Sequence, residues 1–90
     1  MLNSNTTVVH AVLPDLNWSI SSSGMFYANV DLGFTAKEIL AVSIEEWSGL
    51  RSTDVIIPYI RTAKDSIGIM ASDHYFDVPG SWIYVKVLYK

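Results

Sequence analysis

Thr35-Ala36-Lys37-Glu38-Ile39-Leu40-Ala41-Val42-Ser43-Ile44-Glu45-Glu46-Trp47 decides the fold class, because it reads two ways. Thr35 and Glu38, three apart, match a capping box, in which the two side chains close the first turn of a helix by bonding to its free backbone N–H groups. Continued as a helix, Ile39, Leu40, Ser43, Ile44 and Trp47 share a face. As a strand, Leu40, Val42 and Ile44 alternate with Ala41, Ser43 and Glu45. A helix this short gains little without packing, so one helical turn near residues 35–39 leading into a strand is expected. A helix through residues 36–47 would instead make the protein α+β.

The neighbouring segments favour strands. Upstream, Met25-Phe26-Tyr27-Ala28-Asn29-Val30-Asp31-Leu32 puts Phe26, Ala28, Val30 and Leu32 on one face and Tyr27, Asn29 and Asp31 on the other. Ser21-Ser22-Ser23-Gly24 is a polar connection, Trp18-Ser19-Ile20 a short extended piece, and Pro14-Asp15-Leu16-Asn17 a turn. Before it, the β-branched run from Thr6 to Leu13 reads as a strand stopped by Pro14.

Downstream, residues 48–52 form a loop and Thr53–Arg61 a strand that Pro58 confines to a sheet edge or a bulge, since proline cannot donate to the ladder. A turn at 62–65 leads into Ser66-Ile67-Gly68-Ile69-Met70-Ala71, the second arm of a hairpin. Residues 72–80 make a loop closing on Pro79-Gly80. The final run, 81–90, places Ile83, Val85, Val87 and Tyr89 on one face. Trp82, Tyr84, Lys86, Leu88 and Lys90 fall on the other, a half-polar face suited to an interface with another sheet or subunit. About six short strands between turn signals predict an all-β fold, a small antiparallel β-sandwich of jelly-roll type, formed as a single domain over residues 1–90.

Composition limits what such a domain does. Half of its 90 residues are hydrophobic and only 17% are charged. That is apolar for a chain short enough to bury only about 60–65% of its unfolded surface, and it predicts a homo-oligomer, which turns apolar patches into interfaces. Without cysteine there is no disulfide, zinc ribbon or thiol nucleophile. The net charge of −3 and the scattered Lys and Arg residues argue against nucleic acid as a partner. No stretch approaches the roughly 20 apolar residues of a membrane span, and Met1-Leu2-Asn3-Ser4-Asn5 lacks the features of a signal peptide.

Catalytic patterns are equally sparse. A triad has only His10 and His74 to choose from as base. His10 lies inside an apolar strand and is expected to be partly buried with one hydrogen bond. Asp73, His74 and Asp77 mix carboxylates with an imidazole around a loop, but their spacing matches no known cation-binding signature, so a solvated polar loop is the expected role and no metal or cofactor is assigned. Glu45, Glu46, Asp31 and Asp54 are read as surface charge, and the dispersed glycines form no phosphate loop. No enzyme is expected. The aromatic residues are the remaining signal, because Trp and Tyr join a flat apolar face to a polar edge and suit both subunit contacts and stacking on sugar rings. Candidate ligand-binding residues are Trp82, Tyr75, His74, Asp73, Arg51, Trp47 and Trp18, with Arg51 able to give a charge-assisted hydrogen bond to an acidic sugar or phosphate. Packing in a core or interface is the competing role for each tryptophan.

Five runs recur in a familiar order: Gly24-Met25-Phe26-Tyr27-Ala28-Asn29-Val30-Asp31-Leu32, the stretch Ile39 to Trp47, Val55-Ile56-Ile57-Pro58-Tyr59-Ile60, Ile67-Gly68-Ile69-Met70-Ala71, and Trp82 to Tyr89. Over about residues 24–89 this strand rhythm resembles the C-terminal tip domains of tail-fibre and baseplate receptor-binding proteins of phages and prophages. The resemblance implies a β-sandwich that trimerises about a threefold axis, sits on a virion tail or extracellular surface, and presents loops to host-surface saccharides. It transfers no individual residue, and the chain lacks the fibre-forming repeat of a whole tail fibre. The expected function is therefore non-catalytic binding or assembly. The alternative is a stand-alone carbohydrate-binding or adhesion module, or a purely structural oligomerisation domain.

Overall fold

Alternation in the last run puts Ile83, Val85 and Val87 on one side, and all three are completely buried. A strand with such a face belongs in the middle of a sheet, and that is where it lies. In the computed structural model, which describes residues 3–72 and 80–90, the strands are β1 (Asn5–Val12), β2 (Ser19–Ile20), β3 (Phe26–Asp31), β4 (Ile39–Ser48), β5 (Ile56–Tyr59), β6 (Ser66–Ala71) and β7 (Trp82–Tyr89). They form two antiparallel sheets, a three-stranded one ordered β1-β7-β4 and a four-stranded one ordered β2-β3-β6-β5. Only the links β2–β3 and β5–β6 stay within a sheet; the others cross between the two layers. The all-β expectation and the antiparallel sandwich are what forms.

The core lies between the layers. Val9 and Ala11 of β1, Ile39 of β4 and the three β7 residues face Val30 of β3 and Ile67 and Ile69 of β6, with Leu13 buried at one end. Each large side chain sealed from water contributes about 1.5–3 kcal/mol. β1 lies over β3, and β4 over β5. One end of the sandwich gathers the 3-10 turn at Leu13–Asp15, residues 21–25 and residues 49–55; Asn5, residues 32–38 and Lys90 lie at the other.

Residues 35–39 do not form the expected helical turn. The Ala36 N–H donates to the Lys64 carbonyl (2.9 Å), and those of Lys37 and Glu38 donate to the Lys90 carbonyl (2.7 and 3.3 Å). The Glu38 carbonyl accepts from the Lys90 N–H (2.9 Å). Partners remote in sequence satisfy the N–H groups of residues 36–38 that would open a helix, including the Glu38 N–H that the capping box would have closed, so the extended backbone wins. The Glu38 carboxylate instead faces Lys90 Nζ at 3.8 Å.

β4 also explains why its sequence looks helical. Its register against β7 slips twice, between Ile39 and Ala41 and between Ile44 and Glu46. Each bulge adds one residue and shifts the alternation. Ile39, Val42, Ile44 and Trp47 therefore share the face that meets Tyr89, Val87, Val85 and Ile83, with two of their three spacings helix-like.

Pro58 lies in β5, an edge strand, as its missing N–H requires. β5 is shorter than the expected Thr53–Arg61 because a turn at Arg51–Asp54 precedes it, closed by the Asp54 N–H on the Arg51 carbonyl (3.1 Å). β6 matches its expected span residue for residue. Across the hairpin Tyr59 stands opposite Gly68, and its ring covers the glycine so closely that an added Cβ would fall within the ring.

Gly68→Ala should therefore lower unfolding free energy by about 1–3 kcal/mol, the usual cost of overpacking, as read from urea denaturation. In a Tyr59→Ser background the same change should cost less than about 1 kcal/mol. Equal costs in both backgrounds would contradict the ring-on-glycine contact.

Candidate functional site

A cleft opens where the margins of β4 and β5 face each other, lined by Ile44, Trp47, Leu50, Arg51, Ser52, Asp54 and Ile56 and enclosing about 360 Å³. The bulge at Glu45 creates its wall. Strict alternation from Ile44 would send Trp47 to the opposite face; the extra residue returns it to the inner face, opposite Ile83. At this point, near the end of an edge strand, the second layer does not cover it, and Trp47 stays 59% exposed. Leu50 and Ile56 pack against the core and make the cleft floor apolar.

Its polar side is an ordered turn. Asp54 accepts from the Arg51 backbone N–H (2.7 Å) through one carboxylate oxygen and from the Arg51 guanidinium (3.1 Å) through the other. The Asp54 side chain is almost fully covered whereas that of Arg51 is 41% exposed, so an arginine anchored by a buried carboxylate stands at the cleft with part of its side chain in water. Gly49, at φ +81°, brings the chain into this turn. Its carbonyl accepts from Ser81 Oγ (3.0 Å), and a side chain there would strike Ser81. An aromatic face, a fixed guanidinium and the Ser52 hydroxyl around an apolar floor suit a ligand with both C–H faces and hydroxyl or anionic groups.

Trp18 and Trp82, the other described members of the expected set, do not join this cleft. Trp18 packs against the core and donates its indole N–H to the Leu13 carbonyl (2.8 Å), a structural role on the β1 side. Trp82 lies on the outer face of the three-stranded sheet, its ring centroid 5.8 Å from that of His10 and 5.0 Å from that of Tyr84. His10 and Tyr84 are themselves 4.7 Å apart, as direct cross-strand neighbours. The expectation that His10 is partly buried fails, because residues 6, 8, 10 and 12 of β1 face outward and His10 is exposed. Asp73, His74, Tyr75 and Asp77 lie outside the described residues. The three tryptophans thus point to three different places, and among the described members of the proposed set only Trp47 and Arg51 meet.

Sequence reasoning treated Asp54 as surface charge and overlooked Ile44, Leu50, Ser52 and Ile56. The Arg-x-x-Asp spacing of a turn was the signal available for Asp54; nothing local marks the others, which the tertiary fold brings together. Glu45 and Glu46 are exposed on β4, and Asp31 and Asp54 stand at opposite ends of the four-stranded sheet, so these four carboxylates build no common centre. Among the described residues no three His, Cys, Asp or Glu side chains are grouped to hold a metal ion, and no helix is long and apolar enough to cross a membrane. The chain matches no family model, no curated protein and no solved structure.

Two substitutions separate the structural roles. Asp54→Ala should cost about 1–3 kcal/mol in urea denaturation, because it leaves the Arg51 N–H and guanidinium without this acceptor. Trp18→Phe keeps the packing but loses the bond to Leu13, and should cost about 1 kcal/mol. A neutral result for either would show that the corresponding bond adds nothing to stability.

Proposed function

We propose that this domain is a non-catalytic recognition module that binds a saccharide at a cell surface through the Trp47 cleft. That is the role implied by the resemblance to phage tail-fibre tip domains, and a location on a virion tail or extracellular surface goes with it. The observation that carries the reading is the placement of Trp47. A bulge holds its indole over an apolar floor, beside an oriented arginine, yet the residue stays more than half exposed. An indole left in water forgoes burial that a sugar's C–H face restores, while the guanidinium and Ser52 supply partners for hydroxyl or carboxylate groups.

Binding of neutral and acidic oligosaccharides is the direct test, by glycan-array screening followed by calorimetry on the strongest ligand. Trp47→Ala should weaken binding at least about tenfold, equivalent to about 1.4 kcal/mol, with a melting temperature near that of the unmodified protein. Trp18→Phe should leave affinity unchanged. Loss of binding in Trp82→Ala but not in Trp47→Ala would move the site to the outer face of the three-stranded sheet, and no binding to any glycan would refute the saccharide reading.

A further inference from the structure

Open sheet edges invite pairing with another chain, and proteins usually blunt them with short strands, proline, bulges or charge. Three of the four edges here are blunted. β2 has only two residues, β5 carries Pro58, and β4 is bulged twice and bears Glu45 and Glu46. β1 is different. Its eight residues pair with β7 in uninterrupted register, and among the described residues its other edge has no strand partner. The segment Asn5-Thr6-Thr7-Val8-Val9-His10-Ala11-Val12 contains no Asp, Glu, Lys or Arg, no proline and no glycine.

The second layer is open on the same side. β1 lies over β3, and β2 pairs with only Phe26 and Tyr27, so that among the described residues Ala28–Asp31 have no strand on that side. Exposed apolar side chains flank the margin, with Val8 at 50% and Ile20 at 62% exposure. Unpaired regular backbone is thus concentrated along one side of the sandwich, away from the Trp47 cleft on the β4/β5 side.

We propose that β1 pairs antiparallel with β1 of a second copy across a twofold axis, merging two three-stranded sheets into one continuous sheet. A second copy fits because a dyad requires only one such edge per chain, and a strand without acidic or basic residues meets its own image without strong like-charge repulsion. Face parity restricts the register. Val8 and His10 stand opposite Lys86 and Tyr84 on the outer face, so a dyad normal to the sheet must set even-numbered β1 residues opposite even-numbered ones. A threefold ring built by strand pairing would need β1 to meet a different edge, and those edges are blunted. The pairing stands apart from the saccharide reading, since the Trp47 cleft remains open in such a dimer and Trp47→Ala should leave the mass unaltered.

Light scattering across a dilution series tests it. The intact protein should have twice the 10.0 kDa mass of one chain and dissociate on dilution. In the two even registers that pair β1 most fully, Val8 stands opposite the partner copy's own Val8 or opposite its His10, so Val8→Glu, which faces Lys86 within the monomer, brings two carboxylates directly opposite or diagonal to each other and should raise the dissociation constant at least about tenfold. Ile57→Glu, exposed on β5, should leave it unchanged. Hydrogen exchange on the unmodified protein gives a second readout that needs no variant to fold: protection of β1 amides should rise with protein concentration. A monomer at all concentrations, a trimer, a dimer indifferent to Val8→Glu in its folded form, or concentration-independent β1 protection would each overturn the proposal.

Discussion

The three-stranded sheet, and with it one wall of the core, is registered on β7. β7 pairs with the first strand over eight residues, from Asn5 opposite Tyr89 to Val12 opposite Trp82, and with β4 on its other side. Its inner residues Ile83, Val85 and Val87 have no exposed surface. Just before it, Ser81 accepts the Leu13 N–H at its carbonyl (2.8 Å) and donates its hydroxyl to Gly49, tying the segments after β1 and β4 to one residue. Pairing the first strand with the last defers much of the reward to late, long-range closure, so the three-stranded sheet requires nearly the whole chain in place.

The cleft follows from the same constraint. β4 must remain hydrogen-bonded to β7 while passing from a buried start at Ile39 to an exposed end, and its two bulges absorb the mismatch. One of them turns Trp47 inward at a position where the opposing layer offers only the start of β5. The exposed indole is therefore a consequence of strand register and of the turn that Arg51 and Asp54 form ahead of β5. Recognition sites on β-sandwiches commonly use loops at one end; the proposed cleft has a strand margin as its aromatic wall and a loop as its polar wall.

The two long margins of the sandwich differ in kind. On the β4/β5 side, proline, bulges and carboxylates discourage pairing, leaving side chains to define the surface. On the β1 side the backbone itself is available. The domain thus separates a side-chain surface suited to a small ligand from a main-chain surface suited to another strand, and occupying one does not obstruct the other.

Much of the fold was legible because a strand's period of two appears directly in the order of residues. Val85 and Val87 announce a buried face, Pro58 announces an edge, and Ser66–Ala71 is bounded by its own turn signals. Where bulges interrupt that period, the sequence misleads: the spacing of Ile39, Ile44 and Trp47, which share the inner face of β4, also fits one face of a helix, and Thr35 with Glu38 mimics its cap. By itself, then, the sequence determined the class, the approximate limits of most strands, and the supply of aromatic residues, all of which depend on neighbours a few positions apart. Only the tertiary structure decided that Lys64 and Lys90 would claim the backbone of residues 36–38, that His10 would face water, and that Trp47 and Arg51 would meet while Trp18 and Trp82 would not. Those outcomes depend on partners up to more than 50 positions away, and no local pattern encodes them.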